Sequence, residues 1–197
     1  MPRPRTYSRD AVIESATFSF WENGYEGTAL SDLERRTGLN RSSLYQAFGN
    51  KHDLFVEGLD RYTVDVLDPL LTPLETDPGI VGIQAFLSRI RTILLEEIDD
   101  GRAGCLMFNT IAERSTRNDV VTGRSISFRD RLAEAFTRAL EHDLGDRDPA
   151  SVPQRAAMLL ASVAGIWTWA RLDLRDAAAM CTSVAAQVAT WLPRATG

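Results

Sequence analysis

Hydrophobic positions recur every three or four residues along most of the chain, which is the period of an amphipathic α-helix. In the first fifty residues this pattern predicts a helix over about 9–23, two short helices, and the start of a fourth at Lys51. Later stripes predict helices at about 80–98, 105–114, 119–142, 153–173 and 175–192. No segment shows the alternation of a β-strand, so the sequence predicts an all-α fold.

Proline and glycine interrupt these stripes. Pro69 and Pro73 are expected to kink or end the helix that starts at Lys51, because proline lacks the N–H that a helix interior requires. Asp77-Pro78-Gly79 predicts a break before the helix at 80–98. A polar connection at 145–153 separates the last two helices from the rest.

Residues 28–51 have the spacing of a helix-turn-helix unit. Gly38 lies where the chain must reverse, since glycine adopts positive φ without a Cβ clash. We expect Thr28 to cap the first helix and Asn40 to cap the second, over 41–48. Asn50 is expected to cap the following helix, with Asp53 forming a variant capping box. The buried stripe is predicted to comprise Leu30, Leu33, Leu44 and Phe48.

The opposite face of the second short helix is polar and suits DNA. The guanidinium of Arg41 can bond both acceptors of a guanine edge, and Gln46 can pair with adenine beside Ser42. Ser43, Tyr45 and Lys51 are better placed for phosphates, and Arg3 and Arg5 for a minor groove. An ordinary solvated polar face is the alternative for each. The full predicted DNA-contacting set is Arg3, Arg5, Thr28, Arg41, Ser42, Ser43, Tyr45, Gln46 and Lys51.

Composition narrows the class of protein. The net charge is −5, which at first argues against nucleic acid, and residues 1–51 contain seven basic and six acidic groups. DNA binding depends on where the basic groups stand, and Arg3, Arg5, Arg41 and Lys51 fall where a docked duplex would touch the chain. No apolar run is long enough to cross a bilayer. The start MPRPRTYSRD lacks a signal-peptide core, so we expect a cytoplasmic protein. Cys105 and Cys181 are expected to be small core residues rather than a disulfide.

Catalytic patterns are not indicated. The chain has two histidines, His52 and His142, and neither belongs to a nucleophile–base or metal-ligand spacing. No glycine-rich loop follows a strand. The sequence therefore predicts no catalytic residues, no metal and no cofactor, and a protein that is not an enzyme.

Residues 9–60 resemble the DNA-binding domain of the TetR/AcrR family of one-component bacterial regulators. The resemblance rests on a Gly-Tyr turn followed by a threonine at 24–28 and on the LYxxFxxK pattern at 44–51; a GCLMFNT stretch at 104–110 adds to it. It implies a DNA-binding domain at 1–50 with an N-terminal arm, and a helical effector-binding and dimerisation domain at 51–197.

The last two helices are rich in small residues and share an apolar seam at helical spacing. Periodicity alone leaves an internal hairpin and a dimer interface equally open, and the resemblance favours a homodimer through about 153–192. The seam consists of Ala177, Cys181, Val184, Val188 and Trp191.

A mainly apolar effector pocket is the further expectation, since ligand sites are lined mostly by such groups. Plain core packing is the alternative for each residue. The predicted lining is Phe86, Ile90, Met107, Phe108, Ile111, Met158 and Trp167, and the polar candidates are Asn109, Glu113, Ser162 and Arg171.

Together these patterns predict a homodimeric repressor that a small effector releases from a pseudo-palindromic operator on double-stranded DNA. An activator, or a regulator controlled by a protein partner, is one alternative. An all-α binding or enzymatic protein is another.

Overall fold

The computed structural model describes residues 8–77, 79–96, 104–114, without the side chain of Arg114, and 120–192. All regular structure in these ranges is helical, which confirms the predicted all-α class there. A π-helical turn, Thr63–Leu67, joins α4 to α5, and a 3₁₀ turn, Pro149–Ser151, precedes α9. The α-helices are α1 (Arg9–Gly27), α2 (Leu30–Thr37), α3 (Arg41–Phe48), α4 (Lys51–Tyr62), α5 (Asp68–Thr76), α6 (Gly79–Glu96), α7 (Leu106–Arg114), α8 (Val120–Leu144), α9 (Val152–Trp169) and α10 (Leu174–Ala189).

An aromatic cluster joins α1 to α4 and positions the two short helices between them. The Phe20 and Phe55 rings meet edge to face with centroids 4.9 Å apart, and Tyr25 lies 4.9 Å from Phe55. Leu33 of α2 and Leu44 and Phe48 of α3 are buried against this core. Ser8 caps α1 by accepting from the N–H of Ala11.

The helix from Lys51 changes its buried side at the π turn. In α4 the buried residues are Leu54, Phe55, Gly58, Leu59 and Tyr62. In the turn and α5 they are Leu67, Leu70, Leu71 and Leu74. Tyr62 and Leu67 are five residues apart rather than four, as a π turn requires. Consequently α4 packs on α1, whereas α5 packs on α6 and α8.

The two prolines do not end this helix. Pro69 lies directly after the π turn, in the first turn of α5, and Pro73 lies within α5. The helix ends at Thr76, and Asp77 adopts an extended conformation. Pro78, at the centre of the expected break, lies outside the described residues.

The apolar seam of the last helix faces inward, not toward a partner. Ala177, Cys181 and Val188 are buried, and α10 packs mainly on α6 of the same chain. Trp191 is half-buried, and the Arg155 guanidinium lies over its ring at 5.1 Å. The interpretation of this seam as a dimer interface is therefore wrong, because its residues complete the core of the single chain.

The opposite sides of the last two helices are exposed and poor in charge. We define the outer α9–α10 face as Ala157, Met158, Ala161, Gly165 and Trp169 of α9 with Ala179, Met180, Ser183 and Ala186 of α10. Met158 is 43% exposed and Trp169 45% exposed. Small residues on both helices allow a second backbone to approach closely.

Polar contacts connect α1 and α4 to the later helices. The indole N–H of Trp21 donates to the carbonyl of Gly104 at 3.0 Å, and the Tyr62 hydroxyl donates to Cys105 Sγ at 3.3 Å. Arg124 of α8 forms a two-bond ion pair with Asp60 of α4. None of the described helices combines the length and apolar character needed to cross a membrane.

Candidate nucleic-acid interface

The turn between α2 and α3 depends on a glycine in the left-handed region. Gly38 has φ of 71°, and its N–H donates to the carbonyl of Glu34 at 3.0 Å. This closes α2 and turns the chain into α3 over two residues. The predicted role of Gly38 is confirmed.

The start of α2 is capped differently from the prediction. Asp32 accepts from the N–H of Ala29 at 2.9 Å and from Arg35 at 2.8 Å. The Ala29 N–H and then the Arg35 guanidinium hold the pKa of the Asp32 carboxyl below its usual value. The expected Thr28 cap is wrong, since Ala29 occupies that position.

Thr28 is withdrawn from the surface. Its side chain is fully buried. Its hydroxyl donates to the carbonyl oxygen of Gly24 at 2.6 Å and lies 3.1 Å from the carbonyl oxygen of Ser19, a second possible acceptor. A buried hydroxyl engaged with backbone carbonyls cannot reach a phosphate. We therefore correct the assignment of its side chain as a DNA contact: Thr28 instead joins the end of α1 to the start of α2.

The caps of α3 and α4 are as predicted. Asn40 Oδ1 accepts from the N–H of Ser43 at 2.9 Å, and Asn50 Oδ1 accepts from that of Asp53 at 3.0 Å. The Asp53 carboxylate accepts from the Asn50 side-chain amide at 2.7 Å, so the reciprocal bond joins two side chains rather than reaching the backbone.

The outer face of α3 comprises Arg41, Ser42, Tyr45 and Gln46, and all four are exposed. The Arg41 guanidinium lies over the Tyr45 ring, 5.3 Å from its centroid. Arg9, Arg35 and Arg36 each pair with a carboxylate, whereas the described residues offer Arg41 no ion pair. Its guanidinium can therefore turn toward a base edge without breaking an ion pair within that part of the chain.

Lys51 and Ser43 flank this face and are half-buried. Lys51 Nζ lies 4.4 Å from the centroid of the Tyr25 ring, a cation–π contact that fixes the ammonium at the start of α4. Arg3 and Arg5 lie outside the described residues.

Arg9 is a positioning residue that the sequence analysis did not identify. Its guanidinium donates to the carbonyl of Ala47 at 2.9 Å and to Glu57 at 2.5 Å, and it lies 4.4 Å from the centroid of the Phe48 ring. These contacts join α1 and α4 to the last turn of α3. In the sequence, Arg9 is only a single arginine ahead of Val12 and Ile13, the first buried residues of α1. That pattern is too weak to predict its role.

The predicted effector-lining residues do not form one site. Phe86, Ile90, Met107 and Trp167 are buried, and the Phe86 ring packs edge to face on Phe136 with centroids 5.7 Å apart. These positions fit core packing. Met158 lies on the outer α9–α10 face, so its assignment to an enclosed pocket is wrong.

Ile111 and Phe108 do border open space, on different sides of α7. Ile111 lines a groove between α7 and α8 of about 170 Å³, whose wall is mainly apolar with Ile126 and Arg129 beside it. Phe108 lines a cleft of about 360 Å³ with residues of α1 and α9. We call these the α7–α8 groove and the junction cleft.

Cys105 and Cys181 are both buried, as expected for small core residues. Burial raises the pKa of the Cys181 thiol to about 11, so it stays protonated at neutral pH. A protonated, buried thiol is a poor nucleophile. Its contribution is therefore to packing between α10 and α6.

Two short helices with a tight glycine turn, and a second helix that exposes arginine and glutamine, define a helix-turn-helix domain of the DNA-binding class. Residues 12–57 match the family described as bacterial regulatory proteins, tetR family. With this geometry, the match identifies residues 12–57 as the DNA-binding domain of a TetR-family transcriptional regulator.

Sequence similarity to curated relatives covers only part of each chain. The chain is 47% identical over 60 residues to the HTH-type transcriptional repressor ComR of Escherichia coli strain K12, covering 30% of this chain and 29% of ComR. It is 34% identical over 119 residues to the HTH-type regulator YezE of Bacillus subtilis strain 168, covering 58% of each. These alignments thus span between about a third and somewhat over half of the relatives' length.

Similar solved structures extend over nearly the whole chain and show the same fold. A cysteine mutant of the TetR-family regulator CifR, complexed with 26-bp operator DNA, matches with a TM-score of 0.76 and 24% identity, covering 93% of this chain and 98% of that one. The TetR-family regulator SCO4454 of Streptomyces coelicolor matches with a TM-score of 0.79 and 19% identity, covering 93% and 95%.

Proposed function

We propose that this protein is a sequence-specific transcriptional regulator that binds double-stranded DNA as a homodimer and responds to a small effector. The observation that supports the proposal most directly is the outer face of α3. It presents an arginine without an ion pair in the described part of the chain, a glutamine, a serine and a tyrosine, at the position of a recognition helix.

Each exposed group of α3 suits a particular contact. Arg41 at the first turn can bond O6 and N7 of guanine, and Gln46 can pair with adenine. Ser42 contacts base edges beside them. Ser43, Tyr45 and Lys51 contact phosphates, which fixes the register of the helix without specifying sequence. Arg3 and Arg5 complete the proposal as minor-groove contacts of the N-terminal arm.

We assign the dimer contact to the outer α9–α10 face. Its small residues allow close helix approach, and its exposed Met158 and Trp169 gain from burial. A two-fold axis there would set two α3 helices about one DNA turn apart, roughly 34–36 Å. That CifR was solved on a 26-bp operator supports the expectation of a two-half-site duplex.

Repression is the sign of regulation that the relatives' names favour, since ComR is named a repressor. We place the DNA-binding domain at 1–50 and the effector and dimerisation domain at 51–197, in a cytoplasmic protein. The α7–α8 groove, with Ile111 in its wall, suits a small apolar effector. By linkage, an effector that weakens operator binding must prefer the DNA-free protein by the same factor.

Selection from a pool of random duplexes tests the central proposal. We expect enrichment of two inverted half-sites with centres about one helical turn apart. An Arg41→Ala/Gln46→Ala double variant is the control and should enrich no comparable sequence while remaining folded. If the parent protein enriches no sequence, it is not a sequence-specific DNA-binding protein. A reporter behind the selected site then distinguishes repression from activation.

A further inference from the structure

The junction cleft lies where α1, α7 and α9 meet, on the opposite side of α7 from the apolar groove. Its volume is about 360 Å³, within the range that small-molecule sites occupy. Its wall combines the Phe108 ring with the Asn109 amide and the guanidinium of Arg171. Glu113 closes the side toward α1.

The carboxylate of Glu113 bonds the backbone of α1 with both oxygens. It accepts from the N–H of Tyr25 at 2.9 Å and from that of Glu26 at 2.6 Å. The approach requires glycine at the preceding position: Gly24 has φ of 75°, and a Cβ there would lie 2.9 Å from Glu113 Oε2. The cleft wall therefore includes a charged group that holds the end of α1 in place.

The segment that Glu113 holds also contacts the DNA-facing surface. The ring of Tyr25 lies 4.4 Å from Lys51 Nζ, and Tyr25 packs on Phe55 inside the N-terminal core. Displacing Glu113 would release the Tyr25 backbone. A movement of Glu113 in this cleft therefore affects Lys51, the proposed phosphate contact, through Tyr25 alone.

The charges of the cleft select its ligand. A guanidinium bonds a carboxylate through two parallel N–H···O bonds, and the described residues contain no ion pair of Arg171. A dianion would meet one cation beside the carboxylate of Glu113, so a single negative charge fits better. The Phe108 ring provides an apolar surface on which a flat ring can stack.

We propose that the junction cleft binds a small aromatic monocarboxylate, which Arg171 holds and whose charge drives Glu113 off the N–H groups of Tyr25 and Glu26. This second effector site rests on the proposed function, because its consequence is a weaker hold on the operator. Like charges brought together in a partly enclosed site repel, so ligand and the Glu113 contact exclude each other.

Calorimetric titration of the full-length, DNA-free protein with sodium benzoate tests the site itself. We expect saturable binding in the millimolar range or tighter, and at least about tenfold weaker binding by Arg171→Gln, which loses the charge-assisted pair. Arg129→Gln, at the mouth of the α7–α8 groove, is the matched control and should bind as the parent does. Benzamide keeps the ring but lacks the charge, so it should bind at least about tenfold more weakly.

Glu113→Gln separates competition from a purely structural role. Removal of the competing charge should make benzoate bind several-fold more tightly, whereas a residue that only stabilises the fold would leave benzoate affinity unchanged or lower. Unchanged or weaker binding by this variant overturns the proposal. The proposal is also overturned if Arg129→Gln loses benzoate binding while Arg171→Gln keeps it. It is equally overturned if the parent protein shows no saturable binding.

Affinity for the selected duplex provides the second measurement. Benzoate should weaken duplex binding by the parent protein, and Glu113→Gln should bind the duplex more weakly from the outset and respond less to benzoate. Benzoate binding without any change in duplex affinity overturns the coupling. Because the titration uses no DNA, failure of the cleft shows there, whereas failure of the proposed function shows as a selection that enriches nothing.

Discussion

The outer faces of α3 and α10 are both exposed, yet their chemistry differs. The face of α3 presents a cation stacked on a tyrosine beside a glutamine and a serine. The face of α10 presents Ala179, Ser183 and Ala186 and lacks charge at these positions. Groups that form directed hydrogen bonds suit base edges and phosphates, whereas small side chains suit the close approach of another helix. Exposure alone thus does not identify the partner of a helix face.

The largest loss of stability should come from a substitution on the inner side of α10. Comparing it with a substitution on the exposed side tests whether the two sides of this helix differ. Val188 is fully buried against the core. Val188→Asp places a carboxyl where no partner exists and should lower the free energy of unfolding by roughly 3 to 5 kcal/mol. Urea denaturation measures it. Gln187→Asp, on the exposed side of α10 next to Val188 and outside the outer α9–α10 face, should change stability little; equal losses would mean that the buried and exposed sides of α10 do not differ.

Ala186→Arg should break the dimer while the chain stays folded. A two-fold axis brings the two new arginines into the same interface, where each loses hydration and meets a like charge. We expect the dissociation constant of the dimer to rise by at least about a hundredfold. Sedimentation velocity measures it, with Ala11→Arg, on the exposed side of α1, as the control. An unchanged dimer would remove the outer α9–α10 face from the interface.

Arg41→Ala probes the other side of the comparison. Loss of its guanidinium should cost about 1 to 3 kcal/mol of specific binding and relax preference at one base pair per half-site. Competition binding with selected and scrambled duplexes measures this. Arg35→Ala removes an arginine that is paired with Asp32 and should cost less. Equal losses on both duplexes would make Arg41 a phosphate contact.

Arg9→Gln should affect the α3 face without touching DNA. The variant loses the bonds to Ala47 and Glu57 and the stacking on Phe48. The Arg9 side chain is partly exposed, so we expect a stability loss of only about 1 kcal/mol. Duplex affinity should fall with an unchanged salt slope, because no phosphate contact is lost. A reduced slope would show that Arg9 contacts the backbone directly.

The smallest effect is expected for Lys51→Ala, which should weaken binding to all duplexes by a similar factor. A phosphate contact conveys no base information. The slope of log affinity against log salt should flatten by about one for each contacted half-site. Binding measured across a salt series checks this. Parent-like affinity with the same slope would leave Lys51 as a residue that packs on Tyr25 and nothing more.

Sequence predicts the local features of this fold well. The glycine turn at Gly38 and the caps at Asn40 and Asn50 follow from backbone chemistry within a few residues, and the structure has all three. Thr28 was misassigned because its partners, Ser19 and Gly24, come from the preceding helix. A hydroxyl four residues beyond a helical carbonyl can cap one helix or close another, and the sequence does not distinguish them.

Tertiary contacts explain the remaining errors. The seam of α10 has a spacing that suits any helical neighbour, and periodicity does not say whether that neighbour belongs to the same chain. Arg9 and Glu113 act through residues 38 and 87–88 positions away. Their roles depend on which helices meet, so no pattern within either helix indicates them.

The π turn at Thr63–Leu67 sets the rotational phase between the two ends of one long helix. One extra residue in an α-helix rotates everything after it by about 100°. Deleting the 63%-exposed Val64 would restore an unbroken α-helix but turn the leucines of α5 away from α6 and α8. The length of this segment, more than its composition, is therefore under constraint. Related chains should tolerate substitutions at Val64 and Asp65 but not insertions or deletions between Tyr62 and Leu67.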